Sequence, residues 1–179
     1  MATAMTGRNN MRIRACLFSL SALFAVTITA DSWAAPAASP TRTVKIISSA
    51  GARGLVEGCT AWAEKNHVTV AMAVLDWGGN LIESHAMEGS APNAIDTALL
   101  KAKNALRWRR ASSETAQIVR KGENLAPTYI MGDFPQPGAI PIMQDGQIIG
   151  SMGVSSGDGE KCAQAGVEAV FGKTASAAK

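Results

Sequence analysis

Between Gly138 and Ser155 two apolar runs, Ala-Ile-Pro-Ile-Met and Ile-Ile-Gly-Ser-Met-Gly-Val, flank the dipeptide Asp145-Gly146. Asp-Gly in that setting predicts a tight hairpin, because both residues tolerate positive φ. Gly146, Gly150 and Gly153 then recur at short intervals. A strand carries that much glycine only where its backbone must bend or a neighbouring element must approach closely. The block constrains the fold far more than the chemistry, since no complete catalytic constellation accompanies it.

The first residues are expected to lie outside the fold. Arg12 and Arg14 precede an uncharged run of apolar or small residues from Ala15 to Ala30, and Ser32-Trp33-Ala34 sets small residues where a signal peptidase reads. The pattern predicts a leader over residues 1–34, cleaved to leave Ala35 first, and a periplasmic or secreted product with no membrane anchor. The apolar run is shorter than the roughly 20 residues a span requires, and Cys16 stands near its start, not at its end as a lipidated cysteine would. With Arg8, Arg12, Arg14 and Asp31 the leader carries +2 of the chain's net +3, so the mature protein is close to neutral. A nucleic-acid partner is therefore not expected, since such proteins keep a strong positive balance. About 145 residues remain, enough for a single domain over 35–179 with its own core.

Periodicity orders that domain. Thr43 to Asn66 reads as a helix, with Val44, Ile47, Leu55, Cys59 and Trp62 at helical spacing. Val68 to Asp76 and Leu81 to Met87 read as strands joined by Asp76-Trp77-Gly78-Gly79-Asn80. A helix is expected from Ser90-Ala91-Pro92 with Pro92 in its first turn, Ile95, Leu99, Ala102 and Leu106 as its buried stripe, and basic residues from Lys101 to Arg110 towards its end. Ser112 or Ser113 caps a short helix to about Lys121, 125–136 is irregular, and Asp158 caps a last helix ending before Gly172. Hairpins separated by helices predict an α+β domain, an antiparallel β-sheet with helices packed on its faces.

Four blocks add a family to this reading: Val74-Leu-Asp76 running into Gly78-Gly79-Asn80-Leu81; Ala94-Ile-Asp96 with Lys101-Ala102-Lys103 and Ala105; Pro137-Gly138 to Pro141 with Asp145-Gly146, Ile149-Gly150 and Gly153-Val154-Ser155; and Glu160 with Cys162-Ala163 and Ala165-Gly166. In this order, over about Val70 to Val170, they resemble the GlcG/HbpS-like haem-binding family, whose domain is also similar to the C-terminal part of PduO-type proteins. The resemblance implies a profilin-like fold, a homo-oligomer, and haem or, alternatively, a corrinoid as ligand. It leaves three roles open: a haem or tetrapyrrole sensor, carrier or accessory subunit; a haem-degrading enzyme; and a structural partner of a neighbouring exported enzyme. The chain departs from the family at His85, where Arg is usual, at Ser112, where Thr is frequent, at Ser156, where Gly is usual, and in a short loop before Glu160.

Candidate site residues follow from chemistry. His67 and His85 lack metal-pair spacing, and His67 falls at a helix-to-strand junction where solvation suffices. His85 is either an exposed strand residue or an axial ligand to haem iron, with Met87 beside it. Met72, Met131, Met143, Met152 and Tyr129 are further candidates, although strand methionines more often fill cores. In the basic run, Lys101 and Arg110 are candidate partners for carboxylates of a small acid, with Ser112 beside them. Cys59 and Cys162 are either a disulfide, as an oxidising compartment allows, or two buried thiols. Ser155 and Ser156 follow a strand with no histidine near them in sequence, and no P-loop or dinucleotide fingerprint is present, so a nucleophilic or nucleotide-dependent enzyme is not expected. N-terminal sequencing of the protein recovered from the periplasm or medium is expected to begin at Ala35; a start upstream of Ser32 overturns the leader.

Overall fold

The structure is a computed structural model and describes residues 39–172; the predicted leader and residues 173–179 lie outside the described residues. Residues from Thr41 onward form one unit. Its elements are α1 (Ser49–Lys65), β1 (Ala71–Asp76), β2 (Leu81–Ala86), α2 (Ala94–Trp108), α3 (Ser112–Arg120), α4 (Ala126–Tyr129), β3 (Ala139–Gln144), β4 (Gln147–Ser155) and α5 (Gly159–Phe171). The four strands form one antiparallel sheet in the order β2-β1-β4-β3, which joins the two hairpins through β1 and β4. The expected α+β class and antiparallel sheet are what the chain adopts.

Strand alternation divides the sheet into two unlike faces. Met72, Val74, Met152, Val154 and Ile142 belong to one large apolar cluster with Leu55, Cys59, Cys162 and Val167 of α1 and α5. The opposite face, with Ala71, Ala73 and Leu75 of β1 and Ser151 and Gly153 of β4 in register beside them, lies under α2. There the approach is extreme. A Cβ on Gly153 would stand 2.1 Å from the Ala98 carbonyl oxygen and 2.7 Å from the Ala102 nitrogen, so the helix backbone rests directly on the strand. Ser151 completes the contact by donating its hydroxyl to the Ala102 carbonyl at 2.9 Å.

This contact explains a difference from the expected stripe. Ile95, Leu99 and Leu106 are only half-buried; the buried face of α2 is Ala94, Ala98, Lys101, Ala102, Asn104 and Ala105. Large side chains cannot enter a gap that excludes a methyl group, so the alanines turn inward and the leucines take the rims.

Other boundaries shift for local reasons. α1 begins at Ser49, not Thr43, because Ser48 caps it through its hydroxyl to Gly51 N at 3.1 Å, and the β-branched stretch before it is non-helical, with Ile47 N donating to Ile149 O at 3.2 Å. α2 begins at Ala94, leaving Pro92 outside its first turn. Asp158 precedes α5 but does not cap it with its side chain, which pairs with Lys161 at 2.8 Å. Residues 125–136 contain one turn of helix, α4. The Asp145-Gly146 turn has φ of 49° and 74°, the double positive-φ geometry expected of that dipeptide.

On the cluster side α1 and α5 also meet backbone to backbone. A Cβ on Gly166 would lie 2.5 Å from the Leu55 carbonyl oxygen, and one on Gly58 2.8 Å from Ala169 Cβ. Cys59 and Cys162 are joined in a disulfide across this seam, with Cα atoms 4.7 Å apart and a sequence separation of 103. Of the two alternatives left open by the sequence, the structure takes the bridge.

Two outcomes follow for urea unfolding. Gly153→Ala is expected to destabilise the domain by about 1–3 kcal/mol or more, because the added methyl must displace helix backbone. Replacing Cys59 and Cys162 together by Ala is expected to cost about 2–5 kcal/mol; an unchanged midpoint in either variant contradicts the corresponding contact.

Candidate functional site

A recess lies at the tip of the first hairpin. Asp76 builds that tip: its carboxylate accepts hydrogen bonds from Asn80 N at 2.8 Å and Asn80 Nδ2 at 2.9 Å, while Gly79 N donates to the Asp76 carbonyl at 3.1 Å. Burial pushes the Asp76 carboxyl pKa up, but hydrogen bonds from Asn80, Gly78 and Gly79 outweigh it and hold the group below its ordinary value. The turn leaves Trp77 exposed. Facing it are the last turns of α2, with Lys103, Leu106, Arg107 and Arg109, and a loop carrying Met131 and Gly132. Together they enclose a cleft of about 490 Å³, within the range of small-molecule sites.

Asp133 fixes the loop to the helix. Its carboxylate is fully buried and accepts from Trp108 Nε1 at 2.6 Å, from Arg107 Nη1 at 3.4 Å and from Asn104 Nδ2. Arg107 is thereby held at the cleft rim. Lys103 and Arg109 have no acidic partner among the described residues. Trp77, Leu106, Met131 and Ile148 supply apolar walls, so the cleft suits a flat apolar body bearing acidic substituents.

A second polar cluster lies inside the fold. Glu160, in the first turn of α5, accepts from Ser113 N and Ser113 Oγ, each at 2.8 Å, and from Ser112 Oγ and Gly138 N, each at 3.3 Å. A carboxylate from one helix thus caps the N-terminus of another, α3, a role the sequence reading gave to Ser112 or Ser113. Lys101 is only 7% exposed and donates from Nζ to the Val154 carbonyl at 3.3 Å. Burial lowers its pKa, and the nearby charge of Glu160 opposes this in part.

The five residues singled out from sequence do not meet in one pocket. Ser112 is fully buried, its hydroxyl donating to Glu160 and accepting from Ala139 N at 2.9 Å, and Lys101 is buried as well; both make their hydrogen bonds within the fold. Arg110 turns back, donating from Nε to the Trp108 carbonyl at 3.1 Å. His85 is exposed on edge strand β2, in a groove it shares with Glu57 and Glu64, whose charges oppose an acidic ligand. Met87 packs against the apolar cluster. Met72 and Met152 are core residues, and Tyr129 is exposed. Met131 alone of the sulfur candidates lines the main cleft, 96% exposed. Lys103, Arg107 and Arg109 belong to the basic run recognised in the sequence; Trp77 and Ile148 carried no signal of ligand contact. Among the described residues no cluster of His, Cys, Asp and Glu could hold a metal ion, and no helix is long and apolar enough to cross a membrane.

Comparison with known proteins agrees with this architecture. A family model described as haem degrading protein HbpS-like matches residues 47–170. Protein GlcG of Escherichia coli K12 is 32% identical over 114 residues, covering 64% of this chain and 84% of that protein. A crystal structure of a Streptomyces reticuli HbpS double mutant superposes with a TM-score of 0.65 at 27% identity, covering 71% of this chain and 88% of that one. A structure described as a PduOC–haem complex gives a TM-score of 0.65 at 23% identity, over 70% and 96% of the two chains, a likeness of fold alone.

The buried cluster makes two checkable statements. Glu160→Gln is expected to lower stability by about 1–3 kcal/mol in urea unfolding, since the amide meets the Ser113 donors with a donor of its own. Lys101 bears its charge at a cost in the folded state, so the unfolded chain holds that proton more tightly. Stability should therefore rise as pH climbs from the lowered folded pKa towards the ordinary lysine value of 10.5. Relative to Lys101→Met, which has no proton to lose, the parent should gain across that alkaline window; parallel curves would contradict the assignment.

Proposed function

On the premise that the chain belongs to the HbpS-like family, we propose that it is an exported protein that binds haem or a related tetrapyrrole in the cleft beside Trp77, as a sensor, carrier or accessory subunit. The observation that carries this reading is the pairing of apolar walls with a basic rim. Trp77, Leu106 and Ile148 can cover a flat ring system, and Lys103, Arg107 and Arg109 can meet its carboxylates. Met131, exposed on the loop beside the cleft, offers a thioether, one of the known axial ligands of haem iron. Haem would supply the protein with a coordinating, redox-active iron. Export is supported by the leader pattern of residues 1–34. Self-association into a homo-oligomer is supported by the loop that bears Met131, where Tyr129 is 82% exposed and Leu125 is also uncovered.

Titration of the purified protein with hemin, followed at the Soret band, tests the reading. Saturable 1:1 binding is expected, with Met131→Leu altering the spectrum. Arg109→Gly is the most useful variant. Arg109 has φ 54°, where glycine is less strained, so the change removes the guanidinium without endangering the fold; affinity should fall about tenfold while the unfolding midpoint holds or rises. Absence of a Soret shift overturns haem binding, and saturation by cobalamin in its place would move the reading to a corrinoid.

A further inference from the structure

We propose that the protein has a second binding site, for a carboxylate with a short apolar body, on the other side of the wall formed by Trp77 and Arg109. A recess of about 340 Å³ lies there, bounded by Arg42, Val44, Trp77, Arg109, Met143 and Ile148. It shares Trp77, Arg109 and Ile148 with the larger cleft and is otherwise lined by different elements: the segment before α1 and the β3–β4 hairpin.

Three observations define what it takes. Two guanidinium groups line it and no acid does. Asp145, on the adjoining turn, is occupied by Lys45. Arg42 lies over the Trp77 ring, 5.6 Å from its centroid, so a cation–π contact holds the guanidinium while its in-plane N–H groups stay available to an oxyanion. Arg109 ends α2 at φ 54°, ψ 37°, where helices usually place glycine or asparagine. An arginine in that conformation costs about 1 kcal/mol or more, and strain of this kind collects where a side chain serves a function. The remaining wall, Val44, Met143 and Ile148, is apolar, so a bare phosphate would leave it unfilled, whereas an acid with a hydrocarbon or aromatic body would cover it.

Isothermal titration of the purified protein with hexanoate, benzoate, acetate and inorganic phosphate distinguishes these ligands. Hexanoate and benzoate should bind once per chain, and acetate and phosphate at least about tenfold more weakly. Arg42→Gln should weaken benzoate about tenfold without altering the hemin titration, because Arg42 does not line the larger cleft, and Arg42→Lys should not restore it, a lysine having no planar fork. Far-UV circular dichroism confirms that the variants are folded. No binding of either organic acid, equal binding of phosphate, or full affinity in Arg42→Gln overturns the second site. Loss of hemin binding with benzoate retained would overturn the tetrapyrrole reading and leave this one standing.

Discussion

The fold turns on the contact between Gly153 and the backbone of α2. Because a Cβ there would overlap the Ala98 carbonyl, the helix sits as close to the sheet as two backbones allow. The consequences run outward. Alanines occupy the seam, the larger apolar residues of α2 are displaced to its edges, and the helix is held so that its last turns reach the tip of the β1–β2 hairpin. Leu106, one of the displaced residues, lies 3.8 Å from the position a Cβ on Gly79 would take. The cleft wall is thus a by-product of a packing requirement set at a strand glycine some distance away.

The two faces of the sheet divide the work. Towards α1 and α5 the interior is apolar: a large hydrophobic cluster, helices in backbone contact, and a disulfide across the seam. Towards α2 and α3 lie the buried polar residues Lys101, Asn104, Ser112, Thr115 and Ser151. Most of their groups are satisfied locally, by Glu160, Val154, Asp133 and Ala102, although Asn104 Oδ1 and Thr115 Oγ1 have no protein partner. The polar face needs specific partners, and meeting those needs fixes the loop at Asp133, and with it the cleft.

The strands, the hairpin turns and the order of elements were legible because they rest on local chemistry: Asp145-Gly146, the Asp76 turn and period-two alternation. The site was legible only in part. The basic run announced Lys103, Arg107 and Arg109 as a group, but composition does not say which member of a helix turns inward. Lys101 was a candidate partner for a ligand carboxylate and is enclosed; Glu160 stood out only as part of the family pattern and caps a different helix. His85 drew notice by departing from the family pattern, yet the edge strand places it beside two glutamates. Trp77 passed as turn filler because its role depends on what stands opposite, and that is set by the α2–β4 contact. Such facts are tertiary, and no window along the chain contains them.

Arg109 joins these strands of argument. A helix that must end abruptly beside a hairpin needs a residue in the left-handed region, and glycine would fill that need at least cost. The chain places there a residue whose side chain lines both recesses, with Arg107 two positions earlier held to Asp133 and Lys103 one further turn back. Backbone economy alone does not explain the choice. Lys103 and Arg109, which have no acidic partner among the described residues, repel one another across the cleft, and an anion bound there, as proposed, would offset that repulsion.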